Sequence, residues 1–214
     1  MSPMHTKFAA RDDGFRFANA FDPRPRRAMP LLKRLTPEQL VIGLCGGMCY
    51  AALDYQNSGQ PIPRFDRVET LTPALARYLY RRQIESMSPL LLLRLANWLL
   101  RDDEYVGRKT CEVELARMRS LINVGLPAVL CLVRTRGLAD PTGNHQVIAT
   151  GYEEIEDGWL RIRLYDPNHP GIEPALIVPE RWNPGAKMSQ TTGEPLRGFF
   201  VMAYAPSRPP TLDA

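Results

Sequence analysis

The order of structural signals along the chain predicts an α+β fold, with helices first and an antiparallel sheet after them. Three observations carry this. Between residues 46 and 125, helix caps and first-turn prolines stand ahead of apolar-rich stretches. From residue 127 onward, short runs rich in Val, Ile, Leu and Tyr alternate with Gly, Pro, Asn and Asp turns. The 214 residues, 44% apolar and 23% charged, exclude bulk disorder and suffice for a core without a disulfide framework or structural metal.

Residues 1–36 read as an irregular basic arm broken by Pro3, Pro23, Pro25 and Pro30, with Phe8, Phe15, Phe17 and Phe21 as points of attachment. Residues 37–205 form one domain with a helical insertion at about 62–125, and residues 206–214 are a loose tail. The first helix covers residues 46–57, opening just after Cys45 and stopped by Gly59 and Pro61. Thr72-Pro73 starts a helix to about Glu85, and Ser88-Pro89 starts another to about Leu100. Thr110 caps a third that ends near Gly125. Strands follow at 127–133, 145–152, 160–165, 175–178 and 198–205, and the Glu-Asp-Gly turn ending at Gly158 makes the second and third a hairpin. Trp182 either lines the active groove or packs the sheet edge.

Charge and oiliness narrow the partners. Lys plus Arg is 27 against 23 for Asp plus Glu, and Arg24, Arg26, Arg27, Lys33 and Arg34 cluster in the arm. Such a run can meet nucleic acid or anionic lipid, but the chain carries no recognisable nucleic-acid module, which argues against that partner. The longest oily stretch, Pro89 to Leu100, is interrupted by Arg94 and falls short of the roughly 20 residues needed to span a bilayer. Its leucines nearly encircle a helix over residues 89–100, which reads as a helix buried between layers or else as a surface for a protein partner or a lid over the cleft. No secretory h-region opens the chain. The cysteines are Cys45, Cys49, Cys111 and Cys131, spaced as no metal motif, so free thiols in the cytosol are the default, with export by a non-standard route left open.

The chemistry concentrates in Gly43-Leu44-Cys45-Gly46-Gly47-Met48-Cys49-Tyr50. A thiol at a helix start is stabilised as thiolate by the helix dipole and free N–H groups, and the same groups can hold an oxyanion. The two glycines let the backbone bend closely around a reacting carbon. Gln39, six residues before Cys45, offers a second oxyanion donor. A thiol nucleophile needs a base and a group that orients it. His145 opens a predicted strand, the partner strand ends at Asp166-Pro167, and hairpin geometry brings those two ends together. His5, in the arm, and His169, after a proline turn, are poorer bases. Cys49 would face the core one turn inside the helix, and its spacing to Gln39 is ten, so Cys45 is the better nucleophile.

The order Gln, Cys-Gly, His, Asp-Pro resembles the papain-like cysteine peptidase superfamily, above all the leader-peptide peptidase domain of bacteriocin-exporting transporters and its free-standing relatives. The matching stretches are Gln39 with Cys45-Gly46-Gly47-Met48-Cys49, then His145-Gln146-Val147-Ile148, then Asp166-Pro167. The resemblance implies a papain-like fold, with a helix-start cysteine packed on a C-terminal antiparallel sheet. It further implies Cys45 as nucleophile, Gln39 as oxyanion residue, His145 as base and Asp166 as orienting residue, with no cofactor or metal. It covers residues 38–56 and 126–172. The family's Asp before the nucleophile is Leu44 here, residues 62–125 do not follow the family domain, and no transporter membrane region follows.

A thiol hydrolase acting on a peptide or isopeptide bond is therefore the expected function. Two alternatives stay open: a transglutaminase-like acyl transferase using the same thioester, and a binding protein that keeps the fold without chemistry. In the last case Cys45 is an ordinary buried thiol, His145 a strand-edge histidine, Asp166 a turn residue and Gln39 a surface residue of a short helix.

Overall fold

The protein is described here from a computed structural model covering residues 3–21, 43–138 and 143–211. The basic run at residues 24–34 and Gln39 lie outside the described residues. The chain is α+β, with N-terminal helices and a C-terminal curled antiparallel sheet.

Helix α2 (Cys45–Asn57) is buried along all but its last residues, and it lies between the sheet and α3 (Pro73–Ser86). Short α1 (Ala10–Asp13) precedes it. Two of the predicted caps form: Thr72 accepts from the Leu75 N–H at 3.2 Å, and Ser88 does the same for Leu91 at 3.3 Å at the start of α4 (Pro89–Leu99). Leu75 and Leu79 of α3 join Met48, Ala51, Ala52 and Leu53 of α2 in one apolar cluster. Burial of each such leucine is worth about 1.5–3 kcal/mol, which explains why α3, in the stretch read as an insertion, is integral to the core.

The sheet runs β6-β5-β4-β3-β2-β7, all antiparallel. Its strands are β2 (Ala128–Val133), β3 (His145–Ile155), β4 (Trp159–Tyr165), β5 (Ala175–Pro179), β6 (Ser189–Gln190) and β7 (Gly198–Val201). A register shift between Ala149 and Gly151 bends β3. The β3–β4 turn uses left-handed backbone at Asp157 (φ 60°) and Gly158 (φ 74°), the geometry that closes a tight hairpin. Both sheet faces are covered. Val129, Cys131, Val133 and Ile148 meet α2 and its neighbours, while Leu130, Leu132, Val147 and Leu164 meet Leu115, Met118 and Ile122. Covered on both faces, β2 reads as the unbroken apolar run Ala-Val-Leu-Cys-Leu-Val.

Several expectations need correction. The third long helix does not start at Thr110. It begins as α5 (Asp103–Lys109), where Asp102 Oδ1 accepts from the Tyr105 N–H at 2.7 Å. It passes through a wide turn at Thr110–Glu114 into α6 (Leu115–Asn123). Thr110 is spent inside the helix, donating to the Val106 carbonyl at 2.9 Å and accepting from the Phe199 N–H at 3.1 Å. The arm is not wholly irregular: β1 (Met4–His5) pairs with β3, and Phe8, Phe15 and Phe17 are buried.

The tail is not loose over residues 206–211. Asp54, buried in α2, accepts from Tyr78, Tyr204 and the Ser207 N–H, each at 2.8 Å, and its Oδ2 lies 2.8 Å from Arg82 Nε. Tyr55 donates to the Pro210 carbonyl at 3.1 Å. β7 stops at Val201 because the chain then leaves the sheet for these partners. Of the two readings of the leucine-rich helix, burial between layers fails: Leu90 is 80%, Leu93 69% and Leu100 66% exposed, and only Trp98 and Leu99 of α4 are fully buried. Among the described residues no helix is long and apolar enough to cross a membrane.

Candidate active site

Cys45 is the first residue of α2. The residue before it, Leu44, has no side chain able to cap the helix, and α3 supplies the cap instead: Gln83 Oε1 accepts from the Gly47 N–H at 2.8 Å. The two glycines serve close approach. A Cβ on Gly46 would stand 2.1 Å from Gln146 Oε1 and 2.2 Å from Ser86 Oγ, and one on Gly47 would stand 2.3 Å from the Leu79 carbonyl. Glycine here lets α3 and β3 press onto the first turn of α2, rather than letting the backbone bend.

His145 opens β3 opposite Leu132 of β2, and Asp166 follows the last residue of β4. The hairpin register thus brings the base candidate to the carboxylate. His145 Nε2 lies 2.6 Å from Asp166 Oδ1, with both side chains buried. Asp166 is held from two more directions, by the Asn168 N–H at 2.8 Å and by Gln190 Nε2 at 2.9 Å. Arg134 donates to Gln190 Oε1 at 2.7 Å, so a buried polar chain runs from Arg134 through Gln190 and Asp166 to His145.

The imidazole also hydrogen-bonds with the Cys45 thiol. With Nε2 taken by Asp166, Nδ1 is the nitrogen left for sulfur. Burial raises the Cys45 pKa. The hydrogen bond and charge of His145, with the N–H groups of Gln146 and Gly46, outweigh that and leave it below the ordinary cysteine value. Burial pulls the His145 pKa down, but the bonds to Asp166 and Cys45 hold it up at about 9. Burial also raises Asp166, and the His145 bond more than reverses it. Each shift favours the charged form of its group: the Cys45 thiolate, the His145 imidazolium and the Asp166 carboxylate.

Three of the four expected site residues, Cys45, His145 and Asp166, therefore come together; the fourth, Gln39, lies outside the described residues. Cys49 is set apart. Its thiol donates to the Gln146 carbonyl at 3.4 Å, and burial pushes its pKa well above the ordinary value. Cys111 and Cys131 are buried with raised pKa for the same reason. His169 pairs with Glu194 at 2.5 Å, and His5 sits in β1. Trp182 packs on α5, where a Cβ on Gly107 would meet its ring at 2.2 Å.

Sequence reasoning missed Gln190, Arg134 and Gln83. None lies in a motif, and each arrives from a distant part of the chain. Among the described residues, no group of three or more His, Cys, Asp or Glu side chains is placed to hold a metal ion. Neither the protein-family models, nor the curated proteins, nor the solved structures contain a match to this chain.

Proposed function

We propose that the protein is a thiol-dependent hydrolase of papain-like type, cleaving a peptide or isopeptide bond through an acyl-enzyme. One observation carries the reading: the buried His145 ring, with Nε2 2.6 Å from Asp166 Oδ1, also hydrogen-bonds with the Cys45 thiol. This is the nucleophile–base–orienter order that acyl transfer requires. In this reading the Cys45 thiolate attacks the carbonyl carbon. The Cys45 N–H at the helix start, with Gln39, stabilises the oxyanion. The His145 imidazolium gives its proton to the leaving amine, and a thioester forms. Water then attacks the thioester with His145 taking its proton, the acyl group leaves as a carboxylic acid, and the sulfur departs as thiolate, which restores the pair with the imidazolium. Asp166 stays ionised and holds the ring.

The substrate class that fits is a peptide or protein. Exposed Leu90, Leu93 and Leu100 on α4 offer an apolar surface for a protein partner. A reducing compartment such as the cytosol suits a nucleophile that must stay a free thiol.

An activated ester such as p-nitrophenyl acetate tests the chemistry without knowledge of the substrate. The expected result is a burst of about one nitrophenolate per chain, an acetyl adduct on Cys45, steady release by water, and loss of the burst in Cys45→Ala. A burst that survives in Cys45→Ala, or no adduct on Cys45, overturns the reading. Transfer of the acetyl group to an added amine in preference to water replaces it with the transferase reading.

A further inference from the structure

Two irregular turns build the site. One carries residues 43 and 44 into Cys45; the other carries Asp166 through Asn168 out of β4. Each has its own local fixing, Gln83 on Gly47 and the Asn168 N–H on Asp166. Neither of these sets one turn against the other. That relation, together with the packing of β3 on the first turn of α2, sets the distance from sulfur to the imidazole, because Asp166 holds the ring and α2 the sulfur.

Asn19, at the end of the N-terminal segment, contacts both turns. Its backbone N–H donates to the Pro167 carbonyl at 2.9 Å, and its Nδ2 donates to Asn168 Oδ1 at 3.1 Å. Its Oδ1 accepts from the Leu44 N–H at 2.6 Å. A single side chain thus spans from the residue before Cys45 to the second residue after Asp166. Apart from His145 itself, it is the side chain that hydrogen-bonds to both turns among the described residues. The fit is tight: a Cβ on Gly43 would come within 2.4 Å of Asn19 Nδ2, so the bridge requires glycine there. The segment that delivers Asn19 is anchored by buried Phe15 and Phe17 and by the Phe15 N–H on the Tyr165 hydroxyl at 3.3 Å.

We infer that Asn19 is a positioning residue that fixes the Cys45 turn against the Asp166 turn and so keeps the thiol on His145. The inference rests on the thiol-hydrolase reading. Without the amide, the Leu44 N–H loses its acceptor and Asn168 its donor, the turns part, and the thiolate loses the histidine contact that stabilises it. A rise of one pKa unit is a tenfold fall in thiolate well below the pKa.

The test is the pH dependence of iodoacetamide alkylation, read at Cys45 by peptide mapping, in the full chain. Asn19→Ala is expected to move the midpoint up by about one unit and to slow labelling at pH 6 about tenfold. Thr6→Ala is the control. It removes a bond of the same segment to the Thr150 carbonyl, 3.0 Å long and away from both turns, and is expected to follow the wild-type profile whatever its melting temperature. A profile of Asn19→Ala that superimposes on wild type overturns the inference, as does an equal shift in Thr6→Ala. If Asn19→Ala does not fold, Asn168→Ala breaks the same bridge from the other side; a smaller upward shift supports the inference and an unchanged profile overturns it. A wild-type Cys45 that titrates as an ordinary thiol removes the hydrolase reading itself, an outcome visible before any variant is made.

Discussion

At the residue scale, the environment separates Cys45 from the other three thiols. Cys49, Cys111 and Cys131 are buried with raised pKa, while His145 and two backbone N–H groups bring Cys45 down. Cys49→Ser is therefore expected to keep most of the alkylation rate and acyl burst, and Cys45→Ser to lose both. The raised His145 pKa has two consequences. The rate profile should fall on its alkaline side near pH 9, where the imidazolium that protonates the leaving group is lost. The contribution of protonated His145 to folding is complete below its unfolded-state pKa of roughly 6.5 and is lost as pH rises through about 9. Asp166, depressed on folding, has the opposite sign: its contribution holds above its unfolded pKa and fades as pH falls through the lowered folded value. Asp166→Asn removes the charge that holds His145 up. It is expected to lower the pH at which the His145 imidazolium loses its proton, read by NMR titration of the imidazole; an unmoved midpoint would show that Asp166 does not set the histidine.

At the element scale, α2 depends on groups that other elements press onto its first turn. Gly46→Ala puts a methyl where Gln146 and Ser86 already stand. The nucleophile turn must shift, and a fall in Cys45 alkylation of about 10²-fold is expected, in line with the cost of a displacement of about 1 Å at a reacting group. Gln83→Ala removes the cap on Gly47 and should cost about 1 kcal/mol in urea denaturation. The hairpin was legible in the sequence because a tight turn fixes antiparallel register. His145 at one strand start and Asp166 past the partner's end follow from the turn at Gly158. The Thr-Pro and Ser-Pro caps were legible for a similar reason, since they act within one turn of chain. Asn19, Gln83, Gln190 and Arg134 were not legible. Their partners are 24 to 149 residues away, and no local pattern encodes a bond across that distance. The start of α5 was missed because Thr110 resembles a cap while its hydroxyl is spent on helix and strand backbone.

At the scale of the whole molecule, the described N- and C-terminal segments pack onto the helix and sheet that carry the site. The N-terminal segment adds β1 to the sheet and brings Asn19 to the two turns. The C-terminal segment is fastened by Asp54 and Arg82, whose ion pair is buried between α2, α3 and residues 204–207. Asp54→Ala leaves the Arg82 charge without this partner and should cost about 3–5 kcal/mol, the usual penalty for breaking a buried pair, seen as a lower urea midpoint. Sequence reading gave no hint of this tie, because Asp54 sits in a run of apolar residues that reads as ordinary helix core. It likewise left open whether the leucines of α4 are buried, since apolar composition does not say which face the rest of the fold covers. The account as a whole rests on Cys45 being a thiolate held by His145. The direct measurement is the rate of iodoacetamide alkylation of each cysteine from pH 5 to 10. The account predicts that Cys45 is labelled first, already at pH 6, that Cys49, Cys111 and Cys131 lag far behind, and that His145→Ala moves Cys45 back toward an ordinary thiol. Labelling of Cys45 no faster than the other three across that range, or a profile unchanged in His145→Ala, would contradict it.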